Sequence, residues 1–331
     1  MRQVRIGQTG MSVGAVGLGC MGMSEFYGER DDNNSMRTLE RALEIGVTMF
    51  DTADMYGRGH NETLVGQLAA GRRDKMFIAS KFGVVRDPNG PNGSLYDRDL
   101  DNSPAYIRKS CDASLKRLGT DHIDLYYIHR MDHAAKLEDS IGTLGELVKA
   151  GKVRAIGLSE ISADVLRRAH AIHPIAALQS EYSLWHRDVE EEILPACREI
   201  GATFVAYSPL GRGFLTGAVT STSTLASNDL RLNAERFRDE NLEKNLALLD
   251  TIKALAADKG ATLGQIAIAW LLGQGDDIVP IPGTKRIKYL EENVGAEKVR
   301  LTRAELDNLA SILSPEAIAG SRVWKAAPDA R

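Results

Sequence analysis

Cysteine is scarce in this chain. The 331 residues hold three, Cys20, Cys111 and Cys197, too few and too far apart for a disulfide framework or a zinc-ligand pair. Basic blocks are missing as well. The net charge is −4 and the charges are interspersed, so nothing points to nucleic acid or to an anionic membrane surface. No apolar run reaches the ~20 residues that span a bilayer. The opening Met1-Arg2-Gln3-Val4-Arg5 lacks the apolar core of a signal peptide. With no His-Glu-x-x-His motif and no cysteine pair, no metal is expected. What is present is an ordinary globular composition, 43% hydrophobic and 26% charged, and a cytoplasmic location is the expectation.

The length allows one large α/β barrel or two smaller domains. Residues 3–19 read as a hairpin, Val4-Arg5-Ile6 and Val13-Gly14-Ala15-Val16 around Gln8-Thr9-Gly10. A unit of apolar strand, polar loop and amphipathic helix then recurs. Met36, Leu39 and Leu43 fall at helical spacing in 33–45, and Gly46 is placed to end that helix. Helices are also predicted over 61–68, from Pro104 to Leu118 with the proline in first position, over 138–150, from Ser162 to His170, and over 189–200, 241–259 and 263–272. Strands are predicted at 47–50, 76–80, 123–128, 153–159, 176–179, 203–207 and 278–281. Counted from Val16 there are eight strands, nearly all separated by helices. That alternation predicts parallel strands joined by crossovers and an α/β (β/α)8 TIM barrel. The hairpin and long loops at the C-terminal face account for the surplus. No linker divides the chain, so 1–331 reads as one barrel domain. The segment Thr-Ser-Thr-Ser-Thr-Leu-Ala-Ser at 220–227 reads as a loop rather than a boundary.

Barrels of this kind work at the C-terminal ends of their strands. Asp51, Lys81 and His129 follow three successive apolar runs, and Ser159, Gln179 and Tyr207 end the next three strands. Tyr56 lies five residues past Asp51. A free tyrosine titrates near about 10, so it is a poor donor at neutral pH. A lysine cation beside it should lower that value, an aspartate should hold the lysine charged, and a neutral histidine can donate to a carbonyl oxygen as charge builds there. Such a set protonates an alkoxide while a cofactor delivers hydride to carbon.

A hydride cofactor needs phosphate-binding loops. Gly17-Leu18-Gly19-Cys20-Met21-Gly22 fits the dinucleotide fingerprint, but no helix opens there, and 23–32 reads as a polar loop. Ser208-Pro209-Leu210-Gly211-Arg212-Gly213 after the seventh strand, and Ile281-Pro282-Gly283-Thr284-Lys285-Arg286 after the eighth, are better placed, because barrels often hold phosphate at these two loops. Lys285 and Arg286 suit an adenosine 2′-phosphate, where an acidic residue would suit NAD.

The segments Phe50-Asp51-Thr52-Ala53-Asp54-Met55-Tyr56-Gly57, Ala79-Ser80-Lys81, Tyr127-Ile128-His129-Arg130, Ile156-Gly157-Leu158-Ser159 and Ile281-Pro282-Gly283-Thr284 through Glu292-Asn293 resemble the aldo-keto reductase superfamily over nearly the whole chain. The resemblance implies an NADPH-dependent reductase of a small-molecule aldehyde or ketone, with NADH as the weaker alternative. It implies Tyr56 as general acid, Lys81 and Asp51 as its tuning pair, and His129 as the residue that orients the carbonyl. Ser159 and Gln179 would take the nicotinamide amide, and Tyr207 would stack on the ring. Ser208, Leu210, Gly211 and Gly213 would lie along the pyrophosphate. Gly283, Thr284, Lys285, Glu292 and Asn293 would hold the adenine end, with Gly19 and Met21 also against the cofactor. No nucleic-acid or membrane partner is implied, and a homo-oligomer is compatible.

Two departures stand out. Many family members carry Asn after the serine of strand five, where this chain has Glu160, whose carboxylate accepts from an amide NH2 but cannot donate to its carbonyl. The Ile-Pro-Gly-Thr loop belongs to branches that include bacterial general reductases, plant auxin-induced-like and pyridoxal reductases, and potassium-channel β-subunits. Those last members make a redox-sensing NADPH-binding subunit the alternative function. Tyr27 and Trp185 are candidate substrate walls, with Met21 and Trp324 also near the rim. His133, His170, His173 and His186 read as surface or structural, and Glu190-Glu191-Glu192 as a solvated helix start.

Overall fold

The computed structural model describes residues 1–86, 98–225 and 229–321. Trp324, most of the 84–102 loop and the end of the 220–227 segment fall outside the described residues. Strands β1 (Gln3–Arg5) and β2 (Ser12–Gly14) form the expected antiparallel hairpin. The eight barrel strands include β3 (Leu18–Gly19), β4 (Met49–Asp51), β5 (Phe77–Phe82) and β8 (Ile123–Ile128), and then β9 (Val153–Ser159), β10 (Ile175–Glu181), β11 (Thr203–Tyr207) and β12 (Ile278–Pro280). They run parallel in the order of the chain. The sheet closes on itself. Gly17 N donates to Pro280 O at 3.0 Å and Gly19 N to Pro282 O at 3.3 Å, and Gly19 bridges Gly283 in parallel. A Cβ on Gly19 would sit 2.9 Å from Ile281 O, so the seam requires glycine there. The molecule is a (β/α)8 barrel.

Side-chain parity builds the barrel's two layers, because successive strand residues point to opposite faces. Met49, Phe77, Ala79, Leu125, Tyr127, Ala155, Ala177, Val205 and Val279 form the inner core, joined by Val4, Ile6, Val13 and Ala15 of the hairpin. Their neighbours Phe50, Ile78, Tyr126, Ile128, Ile156, Leu158, Leu178 and Phe204 pack outward in the cluster shared with the helices. Gly157 makes room inside for Tyr127, whose ring lies 2.4 Å from where a Cβ would stand.

Around the sheet run α1 (Asp32–Glu44), α2 (His60–Ala69), α3 (Pro104–Leu118), α4 (Leu137–Lys149), α5 (Ala163–Ile172) and α6 (Ile193–Ile200). They are followed by α7 (Asp239–Asp258), α8 (Leu263–Leu272), α9 (Ile287–Gly295) and α10 (Arg303–Ile312). Local signals set their ends. The Ser103 and Ser162 side chains accept from Tyr106 N and Val165 N as N-caps, and Thr262 and Gln265 form a capping box. Three expectations change. The helix expected over 189–200 splits into a 3₁₀ turn, Asp188–Glu190, and α6. A second hairpin, β6 (Val84–Arg86) with β7 (Arg98–Leu100), stands where a loop was expected. The α10 helix was not anticipated. No helix among the described residues is long and apolar enough to cross a membrane.

Candidate active site

The inner parity of each strand, carried past its last apolar residue, delivers the site. Asp51 is two residues beyond Met49, Lys81 beyond Ala79, and His129 beyond Tyr127. Ser159 is two beyond Gly157, Gln179 beyond Ala177, and Tyr207 beyond Val205. All six therefore rise from the barrel interior on its C-terminal rim. Gln179 lies two residues before the end of β10 rather than at its end.

Lys81 is fully buried and Asp51 is 3% exposed. Lys81 Nζ donates to Asp51 Oδ1 at 2.5 Å, to Thr52 O at 2.9 Å and to Tyr56 Oη at 3.4 Å. The three donors of the ammonium thus have one anionic acceptor, one carbonyl and one phenol. The Tyr56 ring meets the His129 ring edge-on at 5.7 Å, and both residues are 8% exposed. Tyr56 reaches this place through a tight turn, Tyr56–Gly59, in which Gly57 (φ 55°) and Arg58 (φ 53°) are left-handed. Beneath it, Thr52 Oγ1 donates to Asn61 Oδ1, and Asn61 Nδ2 donates to Cys20 O and Ser24 Oγ.

The electrostatics differ from the expectation in one respect. The phenol of Tyr56 is raised well above its ordinary value, first by burial and then by the Asp51 charge, with Arg130 opposing. Burial and the Asp51 charge, not the Lys81 cation, set the direction of this shift. Burial likewise lowers Lys81, with Asp51 opposing. Tyr56 is consequently a protonated phenol throughout the neutral range.

The cofactor candidates are also brought to this rim. Ser159 is 1% exposed and accepts a hydrogen bond from Arg130 Nη1 at 3.2 Å. Because a guanidinium only donates, the Ser159 proton must point elsewhere. Gln179 Nε2 donates to the second Asp51 oxygen at 2.7 Å, which links that amide to the Asp51–Lys81 pair. Glu160 adopts φ 52°, and its Oε1 accepts from Glu181 N at 2.9 Å. The loop after Tyr207 is a run of left-handed residues, Ser208, Gly211, Arg212 and Gly213, and Gly213 N donates to Leu210 O. Gly283 lies on the barrel seam. Thr284 Oγ1 accepts from Arg286 N at the start of α9. Glu292 Oε1 accepts from Thr262 Oγ1, and Asn293 is buried on α9.

Lys285 is not free to swing. Its Nζ donates to Tyr27 O at 2.9 Å and to Glu29 O, so it ties the loop after β3 to the loop after β12. Met21 and Tyr27 pack against the apolar group Phe26, Ala53, Met55, Tyr56 and Val84, beside the Tyr56 ring. Trp185 is 3% exposed. It stacks on Phe214 at 3.9 Å and meets Phe237 edge-on at 5.2 Å. Its Cε3 would lie 2.8 Å from a Cβ on Gly211. The indole therefore packs under the 208–213 loop, and these contacts account for it without a substrate. The Gly17–Gly22 segment opens no α-helix, only a single 3₁₀ turn, Met21–Met23.

One residue at the site was quoted in the sequence but given no role, namely Arg130. Its signal was position, directly after a strand-terminal histidine. A profile of the Aldo/keto reductase family matches residues 15–314. Over 316 residues the chain is 45% identical to the aldo-keto reductase yakc [NADP(+)] of Schizosaccharomyces pombe, covering 94% of this chain and 92% of that one. It is 43% identical over 326 residues to a probable aldo-keto reductase 1 of Glycine max, covering 98% and 92%. The glycerol dehydrogenase AKR11B4 of Gluconobacter oxydans superposes with a TM-score of 0.87 at 32% identity, covering 94% and 95% of the two chains. The thermostable aldo-keto reductase Tm1743, solved with the inhibitor epalrestat, gives 0.73 at 30% identity, covering 94% and 100%.

Proposed function

The chain belongs to the aldo/keto reductase family, and from that premise we propose that it reduces an aldehyde or ketone to an alcohol with Tyr56 as the proton donor. It is an NADP-dependent oxidoreductase, like its fission-yeast relative. The residues fit that cofactor. The Ser159 proton is turned away from Arg130, available to a carboxamide oxygen. The left-handed run from Ser208 to Gly213 offers backbone amides to a pyrophosphate. Lys285 and Arg286 stand at the mouth of α9, where a 2′-phosphate would be held. NADPH bound there supplies hydride to the carbonyl carbon.

The remaining work is the chain's own. As negative charge grows on the substrate oxygen, the Tyr56 hydroxyl delivers its proton there, because an alkoxide is a far stronger base than a phenolate. Its raised value keeps the proton in place until that moment. Lys81, held by Asp51 and Thr52 O, stays 3.4 Å from Tyr56 Oη and steadies the phenolate left behind. His129 borders the same oxygen position and orients the carbonyl. The observation that carries this reading is the Lys81 ammonium shared between Asp51 and Tyr56.

The test is NADPH oxidation with a panel of reactive aldehydes. Tyr56→Phe should lower kcat by about 10²–10⁴-fold, the usual worth of a positioned acid, while the NADPH dissociation constant barely moves. Near-normal kcat in that variant would sink the role of Tyr56. Tight NADPH binding with no turnover on any carbonyl would favour the redox-sensing subunit instead.

A further inference from the structure

Among the described residues, Lys81, Arg86, Arg212 and Arg130 are cations at the C-terminal mouth of the barrel, and the first three have carboxylate partners. Lys81 pairs with Asp51 at 2.5 Å, Arg86 with Glu25 at 2.7 Å, and Arg212 with Glu181 at 3.1 Å. Arg130, half-buried between His129 and Ser159, has no carboxylate within ion-pair distance among the described residues. Only its Nη1 is engaged, by two neutral oxygens, His129 O at 2.6 Å and Ser159 Oγ at 3.2 Å. Its Nε and Nη2 have no partner among the described residues. A guanidinium taken partly out of water without a counter-charge is costly to the fold, and a planar fork with free donors matches a carboxylate or phosphate.

The charge is close enough to the chemistry to be felt there. Arg130 is the cation that opposes the rise of the Tyr56 phenol, and it also acts on Lys81. The two oxygens that hold Nη1 belong to His129 and Ser159, so the guanidinium is anchored between a residue of the proposed catalytic set and a residue of the proposed nicotinamide site.

We propose that Arg130 is a specificity-determining residue that receives an anionic group of the substrate, so that the preferred substrates are aldehydes or ketones carrying a carboxylate or phosphate near the carbonyl. This rests on the reductase reading and names its substrate class. The anion would supply the counter-charge that Arg130 lacks, and Nη1, fixed by His129 O, would leave Nε and Nη2 to grip it.

The experiment compares matched substrates with the NADPH-loaded full chain: 4-oxobutanoate against butanal, and glyceraldehyde 3-phosphate against glyceraldehyde. The expected result is a kcat/KM at least tenfold higher for one or both charged members, carried mainly by KM. Arg130→Met should collapse that preference to about threefold or less, and Arg130→Lys should keep part of it. The carboxylate and phosphate pairs separate the two anion chemistries. Absence of a preference in the wild type overturns the proposal, as does a preference that survives in Arg130→Met. So does an equal loss on charged and neutral substrates together with weakened NADPH binding, which assigns Arg130 to the cofactor.

A second measurement needs no turnover. The thermal midpoint of the NADPH-loaded protein should rise with 4-hydroxybutanoate and not with 1-butanol, and Arg130→Met should lose that rise. No turnover with the rise intact would defeat the reductase reading and leave the anion site standing. Turnover without the rise would do the reverse.

Discussion

Asp51 and Asp124 are both buried carboxylates paired with cations, and they sit at opposite ends of the barrel. Asp124, at the second position of β8, is 2% exposed. Its Oδ2 accepts from Arg73 Nη2 at 2.7 Å and from Ile78 N at 2.8 Å, and Arg154 approaches Oδ1 at 3.3 Å. Arg73 spends its other donors on Thr120 Oγ1, Met76 O and His122 O. At that end every nitrogen of Arg73 and both oxygens of Asp124 have partners within the framework. At the other end Asp51 is satisfied by Lys81 and Gln179, but the third donor of Lys81 goes to a phenol at 3.4 Å, a long contact to a group that can itself donate a proton. A saturated network holds the barrel together, while one with a loose terminal link can do chemistry.

The comparison breaks or holds on two substitutions. Of the two, Lys81→Met should have the larger effect. It removes the cation that steadies phenolate, and loss of one preorganised electrostatic group costs about 10²–10³-fold in kcat. It also leaves Asp51 buried without its counter-ion, and the break of such a pair costs about 3 kcal/mol, read as a lower denaturation midpoint. Asp124→Asn should cost a similar amount of stability, because Arg73 then lies uncompensated, while kcat per native molecule is kept. Equal losses of kcat in the two variants, measured on protein shown to be folded, would mean that the two ends of the barrel do not divide the labour in this way.

Much of this was legible in the chain. Strand parity is a local property, so Met49 to Asp51, Ala79 to Lys81 and Tyr127 to His129 could be read as inner positions extended to the rim. The cap Ser162, the first-position Pro104 and the turn glycines are equally local. What could not be read depends on contacts between distant segments. Trp185 looked like a rim aromatic, and only the approach of Phe214, Phe237 and Gly211 shows it beneath the loop. Lys285 was read only as a cation suited to a 2′-phosphate, and its bonds to Tyr27 O and Glu29 O, which join positions more than 250 residues apart, could not be read. The sign of the Tyr56 shift also escaped the sequence. Adjacency of a lysine was readable, but the weight of burial and of the Asp51 charge on the phenol are properties of the packed site.

The smallest expected effect sharpens the same contrast at high pH. Tyr56 at the rim and Tyr126 in the barrel wall are both raised well above the ordinary tyrosine value, burial being the larger cause in each. Their secondary causes differ: the Asp51 charge for Tyr56, Asp54 for Tyr126. A phenol raised on folding keeps its proton in the native state when the unfolded chain would release it. Its contribution to stability is therefore complete below the unfolded value near about 10 and falls as pH climbs past it. Absorbance at 295 nm in an alkaline titration should accordingly show fewer phenolates than the nine tyrosines of the sequence while the native circular dichroism persists, with the remainder appearing only on unfolding. Reduction should likewise hold its rate through the neutral range, with an alkaline limb of kcat above pH ~10 that Tyr126→Phe leaves in place. If all nine titrate near 10 in a protein that stays folded, burial is not what keeps Tyr56 protonated, and the rim is wetter than its packing implies.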